Sequence, residues 1–133
     1  MKTGFVCGAW DLLHPGHVLL LAECKTYCDR LIVGLHIDPS FERSTKNKPV
    51  QTVYERYLQL AYHKSVYHII PYETEGDLYN LLATIDIQIR FLGSDYASMP
   101  NFTGKSICAL RNIEIKYIDR LHYWSSSELR KKL

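Results

Sequence analysis

Two histidines three residues apart, His14 and His17, stand where a predicted strand gives way to a predicted helix. Residues 4–7 before them are apolar and predict a short buried strand, and the apolar run 18–22 after them predicts a buried helix that continues to Cys28. A helix N-terminus has unpaired N–H groups and partial positive charge, so it attracts anions. Two imidazoles at such a helix start add hydrogen-bond donors. The chemistry that they suit best is the handling of phosphate groups.

Small and polar residues surround the two histidines. Gly8 ends the predicted strand and Gly16 separates the histidines, and both glycines leave room for a phosphate to approach the backbone. The alternative interpretation, a helix cap and a packed histidine, is weakened by these glycines. We expect Asp11 to be structural and to accept hydrogen bonds from N–H groups of its own turn.

Length, charge and cysteine content narrow the class of protein. The chain of 133 residues predicts a single domain, 1–133, with a core of its own. A net charge of +2 is too weak for a general nucleic-acid surface, so no nucleic-acid partner is expected. The longest apolar run falls far short of the ~20 residues of a membrane helix, and the start lacks a signal-peptide pattern. We therefore expect a cytoplasmic protein without membrane insertion. The four scattered cysteines predict neither a disulfide framework nor a metal site.

Strands and helices alternate along the whole chain. The elements predicted after the first helix are a strand at 31–35, a polar loop at 37–51, a helix from Thr52 to Lys64, an edge strand at 67–70 that ends at Pro71, a helix capped by Gly76 and Asp77 and running to Ile85, a strand at 89–92, a loop at 94–103, a helix at 105–112, a strand at 113–118 and a closing helix at 126–133.

This alternation predicts an α/β fold, a doubly wound, Rossmann-like parallel sheet of five strands. Right-handed crossovers with a reversal of direction beside the first strand give the order 3-2-1-4-5. Ligands of such sheets bind beyond the carboxyl ends of the strands on either side of the reversal, here strands 1 and 4. Gly8 and Gly93 lie at those two ends.

Five blocks along the chain together resemble a known family. They are Gly8 to His17, Lys-Asn-Lys at 46–48, Tyr-Glu-Arg at 54–56, Gly-Ser-Asp-Tyr at 93–96, and Arg120 with Ser-Ser-Ser-Glu at 125–128. The chain resembles the cytidylyltransferase branch of the nucleotidylyltransferase superfamily over nearly its whole length, and most of all the glycerol-3-phosphate cytidylyltransferases. The resemblance implies the same strand order and a homodimer.

The resemblance also implies roles for individual residues. It makes His14, His17 and Lys46 catalytic, and it makes Lys48, Arg56 and Lys64 substrate-binding. Arg56 could alternatively brace Glu55, and the two loop lysines could be a solvated surface. Nucleotide-binding roles fall on Gly8, Ala9, Trp10, Gly16, Gly93, Asp95, Arg120, Ser125, Ser126 and Ser127.

Three departures from the family's pattern affect the substrate. Ser94 and Tyr96 replace an aspartate and a tryptophan, and the bulky run 121–124 precedes the serines. Trp10 is expected to pack beside the site rather than to stack on the base.

The implied reaction joins two polyanions. A phosphate oxygen of a small phosphorylated alcohol attacks the α-phosphorus of CTP and releases pyrophosphate, with Mg²⁺ accompanying the triphosphate and no protein residue assigned to the metal. Such chemistry depends on positioning and charge stabilisation. Two alternatives stay open: adenylyl transfer to a sugar phosphate or another phosphate ester, and a nucleotide-binding subunit without catalysis.

Overall fold

The computed structural model describes residues 1–119 and Lys131. The strands are β1 (Thr3–Gly8), β2 (Arg30–His36), β3 (His68–Tyr72), β4 (Ile89–Gly93) and β5 (Glu114–Ile118). The α-helices are α1 (Pro15–Thr26), α2 (Val53–Ala61), α3 (Glu75–Thr84) and α4 (Lys105–Leu110), and short 3₁₀ turns occupy Pro39–Phe41 and Ser94–Ser98. The predicted closing helix, 126–133, lies outside the described residues except for Lys131, which is helical.

The five strands form one parallel sheet in the order β3-β2-β1-β4-β5, which confirms the predicted fold. The order reverses between β1 and β4. Both strands end at the same edge of the sheet, so the turn after β1 and the turn after β4 lie beside each other.

Each face of the sheet is covered by two helices. One core cluster joins β-strand residues to Leu21 and Cys24 of α1 and Leu60 of α2. The other joins Phe5 and its neighbours to Leu78 and Leu82 of α3 and Cys108 of α4. Burial on both faces explains why the central strands are continuous apolar runs. No described helix has the length and apolar character needed to cross a bilayer.

The boundaries of the helices show which local signals were decisive. The capping box of Thr52 and Glu55 opens α2 as predicted, but the helix ends at Ala61 rather than at Lys64. The N-cap of α3 is Thr74, whose side chain accepts from the N–H of Asp77, while the Asp77 side chain accepts from the N–H of Thr74. Asp77 therefore takes part in the cap as predicted, and Gly76 does not.

One proline lies inside a strand. Pro71 belongs to β3 and pairs with Leu35, although the sequence predicted that it ends the strand. An edge strand tolerates proline because only one of its sides joins the ladder.

Candidate active site

His14 and His17 together build the first turn of α1. His14 is the N-cap residue, and its Nδ1 accepts the N–H of Gly16 at 3.0 Å. The Nδ1 of His17 accepts the N–H of His14 at 3.3 Å, which completes a capping box made of two imidazoles. Pro15 follows at the first helical position, where its missing N–H costs nothing. The helix-cap interpretation and the phosphate interpretation therefore describe the same residues.

The capping bonds fix the tautomer of both rings. Because each Nδ1 accepts a hydrogen bond, the proton of the neutral ring is on Nε2. The two rings stack with their centroids 3.9 Å apart and their planes 28° apart. His14 is buried and His17 is partly buried. The turn thus holds two imidazoles with the same proton-bearing nitrogen at a helix N-terminus.

The residues before this helix adopt a strained backbone. Trp10 has φ 54° and Leu12 has φ 52°, and non-glycine residues in this left-handed region cost roughly 1–2 kcal/mol each. Trp10 is held by burial and by its Nε1, which donates to the carbonyl of Gly34 at 3.0 Å. The N–H of Leu12 donates to Oε1 of Gln51 at 2.8 Å. The surrounding structure therefore forces the conformation of the turn.

Asp11 lies between these two strained residues and binds another part of the chain. Its carboxylate accepts the N–H of Val50 at 2.8 Å and the N–H of Gln51 at 2.9 Å. Asp11 is structural, as predicted, but these two donors lie at the end of the loop between β2 and α2 rather than in its own turn. Asp11 ties that loop to the histidine turn.

Gln51 is a residue that the sequence analysis missed. Its N–H meets Asp11 and its side chain meets Leu12, so it contacts the histidine turn twice. A single glutamine at the end of a polar loop carries no sequence signal for this role. Only the folded chain brings it to the turn.

Arg56 is buried, with only 1% of its surface exposed. Its guanidinium donates to five backbone carbonyls: those of Ala9 (3.0 Å), His36 (2.8 Å), Ile37 (2.6 Å), Gln51 (3.2 Å) and Thr52 (3.3 Å). Burial lowers the pKa of Arg56, and the nearby charges of Asp11 and Asp38 oppose this shift. Arg56 therefore fastens the ends of β1 and β2 to the start of α2.

This placement corrects both roles considered for Arg56. The side chain of Glu55 accepts the N–H of Thr52 at 2.8 Å in the capping box, so Arg56 does not brace it. The donors of Arg56 are directed at backbone carbonyls rather than at an open substrate site. Arg56 therefore stabilises the backbone around the site from within the core.

The three predicted lysines separate into two groups. Lys46 and Lys48 are exposed in the loop that follows β2, at the carboxyl edge of the sheet. Hydrogen bonds from Ser40, helped by the charge of Lys48, lower the pKa of Asp38. Lys64 follows the end of α2 and precedes β3, so it lies at the edge formed by the amino ends of the strands. This position is away from the site and corrects the predicted substrate-binding role of Lys64.

The remaining predicted residues lie at the ends of β1 and β4. Gly8 ends β1 against the Trp10 ring, and Ala9 follows with its carbonyl bound to Arg56. Gly93 ends β4, and a Cβ there would stand 2.7 Å from Oδ1 of Asp95, so the Asp95 carboxylate lies against the strand end and would have to shift if residue 93 carried a side chain. Arg120, Ser125, Ser126 and Ser127 lie outside the described residues.

Comparisons with known proteins agree with this geometry. The chain is 35% identical to the bifunctional protein HldE of Nitrobacter winogradskyi over 133 residues, which is 99% of this chain and 27% of that protein. It is 41% identical to HldE of a Caulobacter species over 97 residues, or 72% of this chain and 20% of that protein. The chain thus spans about a quarter of the length of these relatives.

Solved structures show the same fold. The lipopolysaccharide core biosynthesis protein of Thermoplasma volcanium superimposes with a TM-score of 0.71 at 24% identity, covering 93% of this chain and 99% of that chain. An Archaeoglobus fulgidus protein of unknown function gives a TM-score of 0.68 at 16% identity and covers 94% of each chain. The model of the cytidylyltransferase-like family matches residues 5–132. With the histidine turn at the reversal point of its sheet, the chain belongs to the cytidylyltransferase-like family of nucleotidyltransferases.

Proposed function

We propose that this nucleotidyltransferase transfers a nucleoside monophosphate to a sugar phosphate, with ATP as the favoured donor. The observation that carries the proposal is the pair of stacked imidazoles at the N-terminus of α1, each with its proton on Nε2. The HldE relatives favour adenylyl transfer to a sugar phosphate over transfer to glycerol 3-phosphate.

The proposed reaction forms one bond and breaks one bond at the α-phosphorus. An oxygen of the acceptor's phosphate bonds to that phosphorus, while the bond to the bridging oxygen breaks and its electron pair leaves with pyrophosphate. Negative charge builds up on the oxygens of the transferred phosphoryl group. Donors that are already oriented towards that charge lower the barrier, because they need not reorganise during the reaction.

The residues of the turn supply such donors. The Nε2–H groups of His14 and His17 would donate to the phosphate oxygens, and the N-terminus of α1 adds partial positive charge. Lys46 lies in the neighbouring loop and would approach the triphosphate when it is bound. The Asp11, Gln51 and Arg56 contacts keep the turn and this loop in register.

A divalent cation would accompany the triphosphate. Within residues 1–119, no group of three or more His, Cys, Asp or Glu side chains is arranged to hold a metal ion. Asp11, the carboxylate beside the histidines, already accepts two backbone N–H groups. These side chains do not fit a dedicated metal cage, so we assign Mg²⁺ to the nucleotide, whose phosphates can provide its ligands.

Cytidylyl transfer to a glycerol-phosphate-like alcohol is the second candidate. It is favoured by the family model, which is that of a cytidylyltransferase-like domain. The presence of both histidines and of a lysine in the adjacent loop speaks against a subunit that only binds nucleotide.

Pyrophosphate release separates these functions. The purified protein is incubated with ATP, CTP, GTP or UTP against glycerol 3-phosphate and a panel of sugar 1-phosphates, with His17→Ala as the blank. We expect the highest rate with ATP and a sugar phosphate. A maximum with CTP and glycerol 3-phosphate would establish the second candidate. Pyrophosphate release no higher than that of the blank, together with measurable nucleotide binding, would support the third candidate, a subunit that binds nucleotide without catalysis.

A further inference from the structure

A polar cluster lies under the carboxyl edge of the sheet, on the face that α3 and α4 cover. It consists of Cys7, Tyr72, Arg90 and Glu75, and we call it the Arg90 cluster. Cys7 directly precedes Gly8, where β1 ends, so the cluster adjoins the strand end that leads into the histidine turn. Burial raises the pKa of the Cys7 thiol, and the charge of Arg90 together with hydrogen bonding to Tyr72 and Arg90 opposes this rise. None of these four residues has a role in the chemistry described above.

Arg90 is the unusual member of the cluster. Only 2% of its surface is exposed, and it stands in β4 between the buried Ile89 and Phe91. Its Nη1 donates to the carbonyl of Thr103 at 2.5 Å, but its Nε has no hydrogen-bond partner in the described part of the chain. The salt bridges found among the described residues do not include Arg90. A buried guanidinium N–H without an acceptor is costly, so the Nε of Arg90 is a donor that an added acceptor oxygen would satisfy.

The segment beside Arg90 is pinned in place. The guanidinium lies 5.5 Å from the centre of the Phe102 ring, and Oγ1 of Thr103 donates to Oε1 of Glu75 at 3.1 Å. Gly104 has φ 83°, and a Cβ there would stand 2.3 Å from Cδ1 of Leu82 and 3.0 Å from Nη1 of Arg90, so a larger residue would be strained at this position. Phe102, Thr103, Gly104 and Glu75 also line an open cavity of about 480 Å³ between the first turn of α3 and residues 101–106, and the buried Arg90 lies behind this lining.

The cluster offers an excess of hydrogen-bond donors. Burial raises the pKa of Cys7, Tyr72 and the adjacent Tyr96, so all three groups keep their protons at neutral pH. Glu75 supplies the negative charge, and it is already bound by Arg43 and by the hydroxyl of Thr103. A ligand that complements Arg90 and these protonated groups must therefore bring acceptor oxygens.

We infer that the Arg90 cluster binds an anionic oxygen group of the acceptor substrate, and that Arg90 is a specificity-determining residue. This inference rests on the proposed nucleotidyl transfer. The anionic group has two possible sources: the acceptor's reacting phosphate, or a second phosphate or carboxylate elsewhere on its carbon skeleton. The site of transfer and the cluster adjoin the same strand end, so one small acceptor can reach both.

The test compares an arginine inside the cluster with one outside it. Arg90→Met removes the charge at similar length, Arg90→Lys restores a charge, and Tyr72→Phe removes one hydroxyl without emptying the core. Arg111→Met is the matched control, because Arg111 also donates to backbone carbonyls, those of Leu82 and Ile85, away from the cluster. Calorimetric binding and steady-state kinetics are measured with glucose 1-phosphate, glycerol 3-phosphate, 3-phosphoglycerate and fructose 1,6-bisphosphate.

We expect Arg90→Met to weaken acceptor binding and raise the acceptor's KM by about 10- to 100-fold, the loss that follows removal of a charged hydrogen bond. The KM for the nucleoside triphosphate should stay within about twofold. Arg90→Lys should recover part of the loss, Tyr72→Phe should show a smaller loss, and Arg111→Met should leave acceptor binding unchanged.

The acceptor panel identifies the source of the anion. An equal loss for all four compounds assigns Arg90 to the reacting phosphate, and a loss confined to the compounds with two anionic groups assigns it to the second group. Unchanged acceptor binding in a folded Arg90→Met protein overturns the inference, as does a parent protein that binds none of the four. If the parent binds them in an Arg90-dependent way but transfers no nucleotide, the proposed function fails and the binding site stands.

Discussion

Each histidine of the turn uses its two ring nitrogens for different purposes. The Nδ1 atoms hold the backbone of the first helical turn, and this leaves the Nε2 atoms as the proton-bearing ones. A substitution at either position therefore affects both the helix start and the proposed catalysis. The two effects can be separated with a residue that caps a helix but carries no imidazole.

Substitution of the histidines is the first prediction. His14→Ala and His17→Ala should each lower turnover by about two to four orders of magnitude, as loss of an oriented transition-state donor does. His14→Ala should also lower the free energy of unfolding by about 1 kcal/mol through loss of the cap. His14→Asn should restore the stability but not the turnover. Pyrophosphate release and urea unfolding measure the two quantities.

His63→Ala is the control, because His63 accepts the N–H of Ser65 in a turn after the end of α2. Its turnover should equal that of the parent. Turnover within threefold of the parent in both His14→Ala and His17→Ala would remove this turn from the active site.

The loop lysines give the second prediction. Lys46→Ala should lower turnover more than Lys48→Ala, because Lys46 is expected to act on charge that appears only in the transition state. Lys48 lies near Asp38, and its removal should mainly change that local pairing. Steady-state kinetics of the two variants, with Lys25→Ala at the end of α1 as control, decide the order. Equally small effects of the two substitutions on turnover would indicate that both lysines are solvated surface residues without a role in catalysis.

At the scale of the element, α2 begins where three segments meet. Arg56 ties the start of this helix to the ends of β1 and β2 through five carbonyls. Arg56→Met should lower the free energy of unfolding by about 2–4 kcal/mol, because it leaves several buried carbonyls without donors. Chemical denaturation measures the loss. Arg30 contacts the exposed ring of Tyr67, so Arg30→Met serves as the control variant. This substitution should change the free energy of unfolding by less than about 1 kcal/mol.

Element types and their order could be predicted from the sequence because they depend on local signals. Apolar runs marked the strands, and the Thr52 box marked the start of α2. The cap of α3 was predicted two residues late because Gly76 and Asp77 are also residue types typical of helix starts, whereas the Thr74 side chain makes the capping hydrogen bond.

The contacts of the site were less predictable. Asp11 meets donors 39 and 40 residues away, and Arg56 meets the carbonyl of Ala9 across 47 residues. No spacing rule links such positions before the chain is folded. The histidine turn was found because both of its partners are within three residues.

At the scale of the whole molecule, buried thiols make stability depend on alkaline pH. Burial raises the pKa of Cys24 from 9.0 to about 12. The unfolded chain therefore loses this proton near pH 9 while the folded chain keeps it, so stability is complete below pH 9 and falls as the pH rises towards 12. Between pH 9 and 10 this one group should cost about 1 kcal/mol.

Urea unfolding at a series of pH values tests this dependence. Cys24→Ala should be less stable at pH 7, because it leaves a cavity, but its stability should fall less steeply above pH 9. An unchanged slope in the variant would assign the alkaline loss to other groups, such as Tyr72, whose pKa burial also raises.

Assembly is the last prediction. We expect a two-fold homodimer, and the exposed apolar side chains Val18 and Leu19 of α1 are its candidate contact, since β2 is interior to the sheet. Leu19→Lys should shift the protein to monomer and lower activity per chain, because α1 carries the histidines. Leu110→Lys, at an exposed site on α4, should do neither. Light scattering across a dilution series, read beside specific activity, tests this; a fully active monomer at micromolar concentration would reject the dimer as a requirement.

The two ends of the loop between β2 and α2 are held while most of its middle faces water. At one end, Arg56 donates hydrogen bonds to the carbonyls of His36 and Ile37. At the other end, Asp11 accepts hydrogen bonds from the N–H groups of Val50 and Gln51. Between these two anchors, residues 41–48 are exposed, and Glu42 and Arg43 both bind Glu75 at the start of α3. Because both of its ends are anchored, this loop can be exchanged between relatives by grafting if both anchors are kept. Each exchange would present new side chains to the substrate on an unaltered scaffold.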